Sequence, residues 1–258
     1  MKQVLEEVPR ENIPRDVKSI RTMWVWAIKT DQYGYVIRFK ARIVTPGNRQ
    51  RAGIDFNETF SPVARMESFF LVVGLAAELG LNLYGGDINT AYLNAELKIS
   101  QYVLNIDEFP CKNPDNLYLV RKALYGLRQS GRDWNEELDF WMIDHGYQCC
   151  SSEPCLYDRM KTNGIIVLAL VYVDDILCAT NDESEKLEFF QQLDCQYGMK
   201  DQGRLTECLG VHVMIKGESI SIDQSKYAKE ILVKFGYENG LMLSDPDGDQ
   251  CTYDIGDG

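Results

Sequence analysis

Long apolar runs are missing from this 258-residue chain. None approaches the roughly 18 consecutive apolar residues that a membrane-crossing helix needs, and the densest stretch, Ile165 to Val173, would cross part of a bilayer at most. The opening MKQVLEEVPRENIP has no apolar centre of the kind a signal peptide carries. Paired CxxC spacings are absent as well. The eight cysteines, at 111, 149, 150, 155, 178, 195, 208 and 251, form no framework, so reduced thiols are expected. His145, Cys149, Cys150 and Cys155 make the one metal-like grouping, and neighbouring cysteines on a strand point apart, which argues against zinc. There is no repeat and no low-complexity tract. These absences lead to an expectation of a soluble, intracellular protein with no membrane contact.

Basic charge is also scarce. Twenty-seven Lys and Arg face 39 Asp and Glu, a net charge of −12 and the wrong sign for an ordinary nucleic-acid binder. The balance is uneven, however. Residues 1–65 hold 12 basic and 7 acidic side chains, net +5, and the remainder is net −17. A polyanion would therefore meet the first segment, or a cation-loaded site among the acids. With 45% hydrophobic and 11% aromatic residues, the chain has ample material for a core and fits one large domain or two modest ones.

Strand and helix patterns alternate. Met23–Lys29 and Tyr35–Val44 read as a hairpin around Asp31-Gln32-Tyr33-Gly34. Its second strand sets Arg38, Lys40 and Arg42 on one face and Ile37, Phe39, Ala41 and Ile43 on the other, which predicts a half-buried ribbon with a basic stripe. An ordinary solvated face is the plainer alternative, but three like charges in a row repel unless something anionic lies over them. Helices are predicted over Glu67–Leu79, Asp133–His145, Glu183–Tyr197 and Gln224–Phe235, with a turn and the start of another over Ile88 to Leu97. Strands are predicted over Leu81–Tyr84, Leu117–Val120, Ile165–Tyr172 and Ile176–Ala179, the third buried on both faces. Leu209–Ile215 and Ser219–Ile222 make a last hairpin, and an acidic tail over 242–258 reads as unstructured.

Two carboxylate elements carry the chemistry. Asp87 follows a glycine pair at a strand end, and Asp174-Asp175 sits at the tip of a strongly apolar hairpin. Most Asp-Asp pairs are solvated turns. Here the flanking strands are apolar, so the two charges lie close to a core where mutual repulsion and desolvation both cost energy. A hard divalent cation relieves both penalties, and Mg²⁺ prefers carboxylate oxygens completed by water and substrate phosphates. Two such ions serve phosphoryl transfer, and a basic stripe nearby would neutralise the remaining phosphate charge. The residues alone leave synthesis and hydrolysis both open.

Eight stretches then stand in a recognisable order: WVWAIKTDQYGYVIRFKARIV (24–44), PGNRQRAGIDFNETFSPVAR (46–65), GGDINTAYLNAEL (85–97), KALYGLRQSGRDW (122–134), CLYD (155–158), LVYVDDIL (170–177), GMKDQGRLTECLG (198–210) and IDQSKYAKEIL (222–232). From about residue 9 to 241 the chain resembles the reverse transcriptase domain of copia-type LTR retrotransposon Pol polyproteins. The resemblance implies an α+β fold of fingers and palm, an antiparallel palm sheet with packed helices, and a partial thumb at most. Residues 1–80 would be mainly fingers, 81–215 mainly palm and 216–241 the start of the thumb. It implies Asp87, Asp174 and Asp175 as catalytic acids around two Mg²⁺ ions, with Mn²⁺ as a substitute. Asp87, Asp174 and the carbonyl of Ile88 would be direct ligands, and Asp175 would be less directly engaged.

Further roles follow from the same resemblance. Tyr92 matches the aromatic gate that excludes a ribose 2′-hydroxyl by a clash; a packed core tyrosine is the plainer alternative. Gln129 falls where the family sets a side chain against the nucleotide's sugar and base, against the alternative of a polar helix-start residue. Lys40 and Arg42 would clamp the triphosphate, with Lys29 a weaker candidate. Leu209 and Gly210 resemble the hairpin that holds the primer's 3′ end. Implied partners are an RNA template, a DNA primer, dNTPs, and the integrase and RNase H portions of a polyprotein whose cycle ends in DNA integration. The implied location is the cytoplasm, in virus-like particles.

Some positions depart from the family. Gly131 stands where proline is common, Asn135 where an aromatic is usual, and Cys208 replaces an aromatic. Each would loosen a pocket without removing a catalytic group. A fragment of a polyprotein is expected. An inactive retrotransposon relic that binds or folds without polymerising is the main alternative, since template affinity needs several cationic contacts. A metal-dependent nuclease would share the acids but leave Tyr92 and Gln129 unexplained.

Overall fold

The computed structural model describes residues 3–15, 17–30, 34–104, 106–217, 219–237, 242–244 and 251–253. Asp31, Gln32 and Tyr33 of the expected hairpin turn, and most of the acidic tail, lie outside them. The chain divides into two compact units, Met1–Arg204 and Leu205–Gly258.

The first unit opens with β1 (Leu5–Pro9) and the ribbon β2 (Met23–Thr30) and β3 (Val36–Val44). Helix α1 (Met66–Glu78) follows, then β4 (Asn82–Ile88), β5 (Glu96–Val103) and β6 (Asn116–Lys122). Next come α2 (Ser130–Asp144), β7 (Gln148–Cys150), β8 (Glu153–Met160), β9 (Ile166–Tyr172) and β10 (Asp175–Thr180). Helix α3 (Glu183–Tyr197) and β11 (Met199–Arg204) complete it.

Six of these strands form one antiparallel sheet in the order β11-β4-β10-β9-β8-β7. Because side chains alternate along a strand, β9 turns Val167, Ala169 and Val171 into a core cluster and leaves Leu168 and Leu170 buried on the opposite face. The cluster is closed by α2 through Trp134, Leu138, Trp141 and Met142, and by α3 through Phe189, Phe190 and Leu193. Helix α1 buries Phe69, Val72, Val73 and Ala76 and meets β4, β9 and β10. The doubly buried strand expected at 165–172 is therefore present. Helix α3 starts on Asp182, whose carboxylate accepts from the backbone N–H groups of Ser184 (2.8 Å) and Glu185 (3.2 Å), and it stops at Gly198. No described helix is long and apolar enough to cross a membrane.

A second sheet, β1-β6-β5, covers a small cluster of Ile20, Val103, Ile106, Val120, Leu124 and Leu127. Its β5 corrects one expectation. A helix start was expected over Ile88 to Leu97, but a short 3-10 turn, Ala91–Asn94, gives way to a strand. Leu97 and Ile99 alternate with exposed Glu96, Lys98 and Ser100, and this two-residue period overrides the helix-favouring Ala, Leu and Glu around position 95. The β2–β3 ribbon corrects another. Trp24 and Ile43 at its base pack on the small cluster. Farther out, Trp26, Ile28 and Phe39 are 72%, 62% and 77% exposed, so the ribbon is not half-buried along its length.

The second unit contains the sheet β12 (Glu207–Cys208), β13 (Val211–Lys216) and β14 (Ser219–Asp223), then α4 (Ser225–Phe235). In the tail, β15 (Met242–Ser244) pairs with β16 (Cys251–Tyr253), where an unstructured segment was expected.

Candidate functional site

Strand β4 runs between β10 and β11, and its register decides the site. Asp87 is the cross-strand partner of Asp175 on one side and of Lys200 on the other. The amide of Ile88 donates to the carbonyl of Asp174 at 2.7 Å. Directly opposed residues have Cα atoms about 5 Å apart, so Asp87, which follows the glycine pair, lies beside the Asp-Asp tip. A Cβ at Gly86 would stand 1.7 Å from the methyl of Met199 on β11, so the end of that side chain lies close against the strand. Beyond it Lys186, 3% exposed, reaches Asp201 in an ion pair and lies over the rings of Tyr84 and Phe190, fastening β11 to α3.

The acidic tip is a two-residue turn between Tyr172 and Asp175. Val173 takes φ +59° there, a left-handed conformation that a β-branched residue adopts at a cost of roughly 1–3 kcal/mol. The indole N–H of Trp134 on α2 donates to its carbonyl at 2.8 Å and holds the turn from below.

The three acids differ in setting. Asp87 and Asp174 line a cavity of about 600 Å³; Asp175 does not. Burial raises the pKa of Asp87, the charge of Asp174 adds to it, and Lys40, Lys29 and Lys200 oppose it. Burial pushes Asp175 up to about 6, helped by Asp174 and Asp87 and opposed by Lys29. The same cavity is lined by Arg38, Lys40 and Arg42, all from the basic stripe of β3. Burial lowers the pKa of Lys40, as do Arg42, Lys29 and Arg38, against the pull of Asp174. Cations and anions lining one cavity leave a space that suits a polyanion held through a cation.

Tyr125 also lines the cavity and packs against Tyr92, with ring centroids 4.8 Å apart. Tyr92 is half-buried and borders a smaller cavity of about 90 Å³ with Ser61, Gly131, Trp134 and Val173. Burial raises the Tyr92 pKa, and the charge of Asp174 adds to that, which puts the ring within reach of the acidic tip.

A profile of the family described as "Reverse transcriptase (RNA-dependent DNA polymerase)" matches residues 9–246. The chain belongs to this reverse transcriptase family. It is 31% identical over 237 residues to the Retrovirus-related Pol polyprotein from transposon TNT 1-94 of Nicotiana tabacum, a match that covers 91% of this chain and 18% of that one. It is also 31% identical over 222 residues to the Pol polyprotein from transposon RE2 of Arabidopsis thaliana, covering 86% and 15%. The chain thus spans less than a fifth of these relatives, and the likeness is to the copia-type reverse transcriptase region of retrotransposon polyproteins. A solved foamy viral protease-reverse transcriptase in complex with double-stranded DNA covers 92% of this chain and 38% of its own at 13% identity, with a TM-score of 0.38.

Not every residue singled out in this chain converges on the acids. Lys29 is exposed on β2 and affects Asp87 and Asp175 through its charge without lining the cavity. Gln129, 5% exposed, stands immediately before α2 in a buried amide knot. Its Oε1 accepts from Gln50 Nε2 at 3.0 Å, Gln101 Nε2 donates to the carbonyl of Asp55 at 2.8 Å, and Arg51 pairs with the Asp55 carboxylate at 3.0 Å. Leu209 and Gly210 lie in the second unit as the turn between β12 and β13, both at positive φ (53° and 75°), the pattern of a type I′ hairpin turn.

For a metal, the candidate donors would be Asp87, Asp174 and the carbonyl of Ile88, with Asp175 beside them. Among the described residues no three His, Cys, Asp or Glu side chains enclose an ion. The set nevertheless fits Mg²⁺, which is commonly held by one or two carboxylates with the rest of its octahedron from water and phosphate. Burial and like charge already disfavour ionised Asp87 in the absence of a cation. No such grouping forms at His145, Cys149, Cys150 and Cys155; the His145 ring instead stacks on Trp141, 3.9 Å away. Lys200 and Tyr125 were missed by sequence reasoning. Lys200 lay in a polar stretch without a strand signal, and Tyr125 lay in a quoted motif whose role became visible once the register was known.

Proposed function

We propose that this chain is the RNA-directed DNA polymerase domain of a copia-type retrotransposon. It sets a primer 3′-hydroxyl against the α-phosphorus of a dNTP, and pyrophosphate leaves. The β4–β10 ladder carries the reading: it brings Asp87 beside Asp174 and Asp175, at a cavity that Lys40 and Arg42 also line.

In this reading the β2–β3 ribbon serves as fingers, the six-stranded sheet as palm, and β13, β14 and α4 as a partial thumb. Lys40 and Arg42 neutralise the triphosphate oxygens, and the arginine fork gives the grip direction. Asp87, Asp174 and the Ile88 carbonyl would hold Mg²⁺ or Mn²⁺, with Asp175 less directly engaged. Two such ions would supply charge compensation on the transferring phosphoryl group and acidify the primer hydroxyl. Tyr92 occupies the space of a 2′-hydroxyl and so favours deoxynucleotides. Leu209 and Gly210 are assigned to the primer terminus, and Gln129 with Lys29 to supporting contacts near the nucleotide. The partners are an RNA template, a DNA primer and the remainder of a Pol polyprotein. The proposed workplace, the cytoplasm, rests on family likeness alone.

Primer extension on an RNA template with Mg²⁺ at low salt tests the reading. Incorporation of dNTPs that Asp174→Asn abolishes is expected. Folded wild-type protein that extends nothing would refute it and leave an inactive relic.

A further inference from the structure

We propose that Tyr125 is a second sugar-discriminating residue: its ring backs Tyr92 from the cavity side and ties it to Arg42, so that the triphosphate contact and the sugar gate act as one unit. This rests on the polymerase reading and deepens it.

The argument begins with where each ring stands. Tyr125 lines the cavity that holds Asp87, Asp174, Lys40 and Arg42, whereas Tyr92 borders the smaller cavity behind it. A nucleotide bound over Asp87 and Asp174 would therefore touch Tyr125 and reach Tyr92 beside it. The two rings are tilted by 44° at 4.8 Å, a favourable aromatic contact. Tyr125 also receives Arg42, whose guanidinium carbon is 5.3 Å from the ring centroid and whose charge opposes the burial that raises the pKa of the phenol.

The backbone under Tyr125 is fixed as firmly as its ring. Its carbonyl accepts from Thr45 twice, from the amide at 2.9 Å and from the hydroxyl at 3.3 Å. Gly126 follows at φ +92°, and a Cβ there would lie 2.1 Å from the Thr45 carbonyl oxygen. Another residue would push the loop off the ribbon. The guanidinium of Arg128 then reaches back to the carbonyl of Gly47 at 2.9 Å. Tyr125 is thus clamped between the base of the ribbon that carries Arg42 and the 3-10 turn that carries Tyr92. A ring held this way does more than fill space, because a cation of the basic stripe lies over it.

Steady-state incorporation of one dNTP and the matching rNTP by the full chain tests this, with kcat and KM measured separately. Tyr125→Leu removes the ring, and the dNTP-to-rNTP ratio of kcat/KM is expected to fall roughly three- to tenfold, the scale of one aromatic pair. Tyr125→Phe keeps the ring and loses the hydroxyl; KM for both nucleotides should rise together with the ratio unchanged. If Tyr92→Ala relaxes the ratio while folded Tyr125→Leu leaves it within twofold, the proposal fails and the polymerase reading stands. If the wild type shows no Mg²⁺-dependent incorporation, both fail. Should Tyr125→Leu not fold, the cycle of Arg42→Ala with Tyr125→Phe decides. Coupled variants raise KM no more together than the larger does alone, and independent multiplication overturns the coupling.

Discussion

Asp133 offers the sharpest test of the energetics. It sits in the first turn of α2, 6% exposed, and its Oδ2 has no hydrogen-bond partner. Burial pushes its pKa up from 3.8 to about 6; Glu136 adds to this, and Lys98 and Arg132 oppose it. A rise of roughly two pKa units means that ionised Asp133 costs the folded state roughly 3 kcal/mol at neutral pH. Asp133→Ala removes that cost, at the loss of about 0.3–1 kcal/mol from an acid at a helix N-terminus. A net gain of roughly 2 kcal/mol is expected at pH 7.5. The folded pKa lies above the unfolded one, so the penalty is nearly complete above about pH 6, shrinks to a small residue as pH falls toward 4, and vanishes below 3.8, where both states are protonated. Urea denaturation of wild type and variant at pH 7.5 and pH 4.0 measures the difference and cancels the other titrating groups. An equal gain at both pH values, or destabilisation at pH 7.5, would refute the reasoning.

Other perturbations probe the site's supports. Gly86→Ala should lower the thermal midpoint by an overpacking penalty of about 1–3 kcal/mol, and adding Met199→Ala should recover part of it, because the added methyl collides with the end of that side chain. Trp134→Phe removes the donor to the Val173 carbonyl and should cost about 1 kcal/mol in urea denaturation; the strained tip should also lose extension rate, and an unchanged kcat would show that the turn needs no such prop. Tyr92→Ala should admit ribonucleotides in primer extension, and unchanged sugar discrimination by an active variant would remove it from the gate.

Much of the site could be read before any coordinates. Asp174-Asp175 stood between two apolar runs with strand periodicity, and Asp87 followed a strand and two glycines, so both local settings were encoded in adjacent residues. Their pairing came from the family resemblance, because register across 88 positions leaves no local trace. Strand β11 was missed because MKDQGR alternates little and owes its place to Lys186 and Met199. The Gln50–Gln129 contact joins residues 79 apart, and nothing in either neighbourhood signals the other. The ribbon failed differently: its alternation was read correctly, but alternation says which side is apolar and not whether anything covers it.

That bare ribbon has a mechanical consequence. Among the described residues its anchors gather at the base, near Trp24, Arg42, Ile43 and Thr45, so bending the arm beyond that base disturbs little packing. The lever is loaded by Lys40 and Arg42, where an anion drawn toward the acids would pull. Capture of a triphosphate would then register as slowed amide exchange along residues 23–44, with the six-stranded sheet unmoved.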